Sequence, residues 1–149
     1  GHNAQGRLWR IGVDLPLPDT LPGDRLAGVL HLTDCAVATS GGYRRRRTTA
    51  GHDAVIHIFD GRLGRPLTRE RMSVTVVARD GLTADGLATA AFILGPDEGI
   101  PWLTNHWSAA DALFLEVTAD GTVNEWCTPN FAVRTRYERL TGVSTPATR

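Results

Sequence analysis

Between Thr83 and Leu94 the chain runs apolar through Ala84, Leu87, Ala88, Ala90, Ala91, Phe92, Ile93 and Leu94, broken by a carboxylate and a hydroxyl at Asp85 and Thr89. On a helix, residues four apart lie on one face, one turn from each other. A helix apolar almost all round is usually buried, and a buried Asp needs a partner. Asp85 with the Thr89 oxygen beside it forms a hard, all-oxygen pair suited to Mg²⁺. The plainer alternative makes Thr83 the helix N-cap and Asp85 a first-turn complement to the helix dipole.

With 149 residues, 42% of them hydrophobic, the chain can bury a core as one domain, 1–149, without staples. The formal net charge of zero gives no overall bias toward nucleic acid or membrane. No apolar stretch reaches the length of a bilayer span, and the N-terminus shows no signal peptide. The two cysteines, Cys35 and Cys127, are not in a metal-ligand spacing. Cys35 reads as a small core residue of an apolar strand, with a disulfide as the alternative in an exported protein.

β-branched and apolar runs predict strands at Leu8–Asp14, Ala27–Ala38, Ala54–Phe59, Met72–Ala78, Leu113–Thr118 and Thr122–Trp126, with a further one at Ala132–Tyr137. Helices are expected at Ala84–Leu94 and Ile100–His106, separated by Gly95-Pro96. Asp19–Asp24 and Gly41–Gly51 read as loops. Few strands are joined by single crossover helices, so the expected class is α+β with a mainly antiparallel sheet and a few packed helices.

Four segments in order carry a family pattern. They are Ala36-Val37-Ala38-Thr39-Ser40-Gly41-Gly42-Tyr43, then Ile56-His57-Ile58-Phe59-Asp60-Gly61-Arg62-Leu63-Gly64, then the strand Ser73–Ala78, then Ala84-Asp85-Gly86-Leu87-Ala88-Thr89 running to Leu94-Gly95. Together they resemble the ApbE-type flavin transferases, with Trp9-Arg10-Ile11-Gly12-Val13 matching a further strand. The resemblance implies transfer of FMN from FAD to a threonine of an acceptor protein, with release of AMP. It implies an ApbE-like fold, FAD as substrate and Mg²⁺ as cofactor. No nucleic-acid partner is expected, because the arginine run Arg44–Arg47 has only Tyr43 near it where interleaved aromatics would be needed. Members are often periplasmic or membrane-anchored outside the cytoplasm. The family's N-terminal portion, with a G-x-x-K-G-Y segment, has no match here, so the chain corresponds to the C-terminal part of such a protein. Gly1-His2 in place of Met fits a cut product.

Residue by residue, the resemblance makes His57 the catalytic group that takes the acceptor threonine's proton or positions that hydroxyl and the phosphate. Asp85 and Thr89 become metal ligands, with a third ligand in the unmatched portion. Thr39, Ser40, Gly41, Tyr43, His57 and Asp60 become cofactor-binding residues. Alternation places His57 on the face opposite Ile56 and Ile58. Departures from the pattern occur at Gly61, Leu63 and Gly86, where the family has Pro, Thr and Ala.

Each residue also has a structural reading. His57 could be a strand histidine with a packing role, and Asp60 a turn former before Gly61. Thr39-Ser40-Gly41 could be a tight turn; otherwise its small residues permit close approach of a phosphate or flavin edge. Arg44–Arg47 could grip pyrophosphate or an acidic acceptor, or form a solvated loop. Alternative functions are an FAD pyrophosphatase and a non-catalytic flavin-binding or interaction domain. Thr141–Thr145 resembles an acceptor motif but reads more simply as part of a frayed tail, 141–149.

Overall fold

The computed structural model describes residues 1–44, 46–47 and 55–140. The expected tail and acceptor-like motif at 141–149 lie outside them. The strands are β1 Trp9–Asp14, β2 Leu26–Leu32, β3 Ala36–Gly41, β4 Arg46–Arg47, β5 Val55–Ile56, β6 Phe59–Asp60, β7 Arg65–Pro66, β8 Met72–Ala78, β9 Asp111–Val117, β10 Val123–Cys127 and β11 Glu138–Arg139. The helices are α1 Gly81–Leu94, α2 Pro96–His106 and α3 Phe131–Thr135.

Every strand pairing among the described residues is antiparallel. A four-stranded sheet runs β10-β9-β8-β3 and a three-stranded sheet runs β1-β2-β11, with two short ribbons, β4-β5 and β6-β7. The class is therefore α+β with antiparallel sheets, as the sequence predicts.

Alternation sorts the central strands onto two cores. Met72, Val74, Val76 and Ala78 of β8, with Ala112 and Phe114 of β9, pack under Ala84, Leu87, Ala88, Ala91 and Phe92 of α1 and Leu103 of α2. Val77, Leu113, Leu115 and Val117 point the other way, against Val13, Ala27, Leu30 and Leu32 of the second sheet. The layers are thus helices, sheet, sheet. β8 is buried along its whole length, and its sequence carries no charged residue and no strict apolar–polar alternation, with Ser73 and Thr75 buried among the apolar residues.

Helix α1 is one-sided. Its small-residue face lies on the sheet, while Leu82, Asp85, Gly86 and Thr89 are exposed. The expectation of a buried Asp85 is corrected here: the helix buries only the face carrying Ala84, Leu87, Ala88 and Ala91, and Asp85 lies on the other side, in solvent. The cap also differs from expectation. Asp80, in extended conformation, accepts from the Thr83 amide at 2.9 Å and from its hydroxyl at 2.9 Å. Those bonds hold the Asp80 carboxyl below its ordinary value, so Asp80, and not Thr83, is the N-cap. At the other end Gly95 adopts φ +79°, and a Cβ there would come within 2.7 Å of the Arg69 guanidinium. Arg69 uses that space to donate to the Phe92 carbonyl at 3.0 Å, satisfying an acceptor at the helix terminus. Pro96 then opens α2, four residues earlier than expected, in the position where a missing N–H costs nothing.

Three strand expectations are also corrected. Ala27–Ala38 divides at Thr33-Asp34-Cys35, where Asp34 takes φ 51°, so β2 and β3 belong to different sheets; Asp tolerates this left-handed turn. Cys35 is consequently exposed and free, not a core residue, and Cys127 is likewise free. The Ala54–Phe59 run splits between two ribbons at β5 and β6. Ala132–Tyr137 is mostly helix: Phe131 and Thr135, four apart, are both buried, and Thr135 donates to the Phe131 carbonyl at 2.7 Å.

Phe92 is completely buried in the core between α1 and the sheet. Phe92→Ala is expected to lower unfolding free energy by about 3–5 kcal/mol, read as a fall in the urea midpoint at unchanged slope.

Candidate functional site

A cleft of about 520 Å³ opens where the C-terminal end of β3 meets the exposed side of α1. That volume falls in the range of roughly 300–1,000 Å³ typical of small-molecule sites. Its walls carry Thr39, Ser40, Gly41 and Tyr43, then His57, then Asp85 and Thr89. Of the candidate catalytic, cofactor-binding and metal residues read from the sequence, Asp60 alone is not among the lining residues. Gly12, Val13 and Asp14 of β1 complete the wall, together with Arg44.

Ser40 and Thr89, 49 positions apart in sequence, meet hydroxyl to hydroxyl at 3.0 Å. Thr89 Oγ1 also donates to the Asp85 carbonyl, one turn back, at 3.3 Å. With its proton so directed, Thr89 accepts from Ser40 and keeps a lone pair toward the cleft. Thr39 alternates to the other face of β3, where its hydroxyl pairs with that of Thr75 at 2.8 Å. The two hydroxyls expected side by side at a ligand thus have different jobs: Ser40 joins α1, whereas Thr39 ties β3 to β8.

Gly41 is required by the aromatic wall. A Cβ at that position would sit 2.6 Å from the Tyr43 ring, so any side chain would push Tyr43 out of the cleft. The Arg44 guanidinium lies over the same ring, 5.0 Å from its centroid. Arg44 also pairs with the Asp14 carboxylate. The side chains of Arg45, Arg46 and Arg47, and Thr48 and Thr49, lie outside the described residues.

His57 is exposed between buried Ile56 and Ile58, the alternation that the sequence predicts. Asp60, by contrast, is 1% exposed and turned into its own loop. It accepts from the Arg62 amide at 2.9 Å and from the guanidinium at 3.2 and 3.0 Å. The Asp60 carbonyl takes the amides of Leu63 and Gly64. The expectation of a cofactor-binding Asp60 gives way to a loop organiser, because both carboxylate oxygens are occupied by Arg62.

Among the described residues no cluster of three or more His, Cys, Asp or Glu has metal-binding geometry. Asp85 and Thr89, with Ser40 beside them, present a short set of hard oxygens. Such a set fits Mg²⁺, which keeps waters and takes phosphate oxygens for most of its six positions. A smaller cavity of about 240 Å³ borders Asp111 and Arg134. Its carboxylate is already engaged, accepting from Thr128 at 3.0 Å and Arg134 at 3.3 Å.

A strand-end glycine–hydroxyl turn thus faces an acid–hydroxyl pair on a helix, donor types that suit phosphate oxygens and hard cations. The chain matches the ApbE family over residues 1–114, and it belongs to that family. It is 36% identical over 100 residues to the FAD:protein FMN transferase of Vibrio cholerae, covering 67% of this chain and 29% of that one. With the FAD:protein FMN transferase of Klebsiella pneumoniae it shares 28% identity over 131 residues, covering 88% and 35%. The solved structure of the ApbE protein from Thermotoga maritima superposes with a TM-score of 0.68 at 30% identity, over 91% of this chain and 41% of that one. The chain spans about a third of the length of these curated relatives.

Arg62, by its hydrogen bonds first, holds the Asp60 carboxyl below the ordinary value of 3.8. A depressed folded value contributes stability above the unfolded value and loses it as pH falls through the folded one. Asp60→Asn is therefore expected to melt lower than wild type near about pH 7, with the gap closing below that ordinary value. A gap that persists in acid would show that the ionised clamp contributes nothing.

Proposed function

We propose that this chain forms the phosphate-transfer half of an FAD:protein FMN transferase. One observation carries the reading: Ser40, His57, Asp85 and Thr89, from three separate stretches of sequence, line one cleft. The activity for which the relatives are named supplies the substrate. In this reading the cleft takes the FAD pyrophosphate, and Asp85 and Thr89 hold Mg²⁺. The bound ion would offset charge on the phosphates as the leaving group departs.

His57 accepts the proton of an acceptor threonine hydroxyl, or orients that hydroxyl, as its oxygen attacks the FMN phosphorus. The new O–P bond attaches FMN through a phosphoester. The P–O–P bridge breaks, and AMP leaves with the bridging oxygen. Ser40, donating to the Thr89 oxygen at 3.0 Å, keeps that hydroxyl aimed. The exposed setting of His57 and Asp85 leaves both reachable by a polypeptide acceptor.

The test uses the protein that carries this chain, with FAD, Mg²⁺ and a threonine-bearing acceptor, read by in-gel flavin fluorescence. Asp85→Asn keeps the shape but removes the charge, and is expected to cut Mg²⁺-dependent transfer by about 10²-fold or more with unchanged melting. Full activity with unchanged Mg²⁺ dependence would reduce Asp85 to a helix surface residue.

His57→Ala is expected to lower the transfer rate by about 10²–10⁴-fold while most FAD affinity remains. A large fall in melting temperature, with activity surviving in the folded fraction, would instead make His57 structural.

A further inference from the structure

The cleft that Asp85 and Thr89 line also contains a charge pair that the transfer chemistry leaves unused. Asp14 ends β1 just past a break in register at Val13/Asp14, and such irregularities re-aim a side chain. One Asp14 oxygen accepts from the Gly23 amide at 2.8 Å. The other meets the Arg44 guanidinium. Gly23 belongs to the loop between β1 and β2, and its φ of +88° lets the amide turn toward Asp14. Arg44, in turn, lies over the Tyr43 ring. A long arginine is thereby gripped along one edge and one face at the mouth of the cleft.

We propose that Asp14 is a positioning residue that presents the Arg44 guanidinium to the phosphates of the dinucleotide bound in this cleft. The inference rests on the reading that the cleft takes FAD, and adds to it a recognition element on β1, a strand assigned no site residue by the sequence pattern. An unrestrained arginine loses rotamer freedom when it clamps a phosphate. Held beforehand by Asp14 and Tyr43 in the cleft lining, Arg44 loses less, and its planar fork suits a phosphate. The pairing also neutralises Asp14, whose lone charge would otherwise repel the phosphates that Asp85 attracts through a cation.

Asp14→Asn separates this role from a purely structural one. The amide oxygen still accepts from Gly23, so the loop keeps its anchor, but the charge that holds Arg44 is gone. In the protein that carries this chain, FAD affinity is expected to fall about tenfold while affinity for riboflavin, which has no phosphate, stays unchanged. KM for FAD should rise with kcat nearly constant, and the melting temperature should hold. Arg44→Ala should give the same phosphate-selective loss, and the double variant little more than either single one, because both remove one unit.

Unchanged or tighter FAD binding by Asp14→Asn would overturn the proposal, the latter by making Asp14 a competitor for Arg44. Equal losses for FAD and riboflavin, or additive single variants, would also overturn it. Wild-type protein that fails to bind FAD at all would overturn the underlying reading, an outcome distinct from wild-type binding with an indifferent Asp14.

Discussion

The close seating of α1 on the four-stranded sheet is the contact from which the rest of the molecule follows. Ala84, Ala88 and Ala91 are completely buried against β3 and β8, and side chains this small let the helix approach nearly backbone to backbone. Leu87 and Phe92 fill the remaining space. That approach brings Thr89 within 3.0 Å of Ser40. A larger residue at Ala88 would lift the helix and open the hydroxyl pair, so the core and the cleft share one geometry. The caps at Asp80 and Gly95 fix where the helix begins and ends, and so where Asp85 and Thr89 lie along it.

The second sheet is held to the first by burial and by a polar clamp. Glu125 of β10 is nearly buried, and Arg139 of β11 reaches it with two nitrogens. The Tyr137 hydroxyl donates to the same carboxylate at 3.1 Å. Burial first, and then the Glu125 charge, push the Tyr137 phenol well above its ordinary value, which keeps it a hydrogen-bond donor. Its ring stands edge-on to Phe131 at 5.5 Å. Since β11 pairs with β2 and β2 with β1, this clamp helps to set the position of β1, whose end supplies Asp14 to the cleft. Polar groups far from the cleft thus contribute to its shape.

Local pattern was enough where a run of one character dominated. β8 and α1 were legible because each is a long apolar run built from residue types that favour the element it forms. The His57 alternation was legible because Ile56 and Ile58 flank it at the strand period. Turn chemistry hid the rest. Thr33-Asp34 interrupts an apolar run without a glycine or proline, so two strands of different sheets read as one. Phe131 and Thr135 carry helical spacing over a single turn, too short to compete with the β-branched look of Val133. Asp60 sits in a turn sequence compatible with either a ligand or a loop, and the Arg62 contact that decides between them depends on how the loop closes.

By itself the sequence determined the α+β class, the strand at β8, the helix carrying Asp85 and Thr89, and the membership signalled by four ordered motifs. Those properties follow from neighbours within a turn or a strand, where chain geometry is fixed by local sterics and burial. Only the tertiary structure decided that Ser40 meets Thr89, that Thr39 turns away to Thr75, that Asp60 serves its own loop, and that Asp14 and Arg44 pair in the lining of the cleft. Each of these joins residues far apart in the chain or depends on which face a strand presents. Such relations are set by how sheets stack and loops close, and no local spacing encodes them.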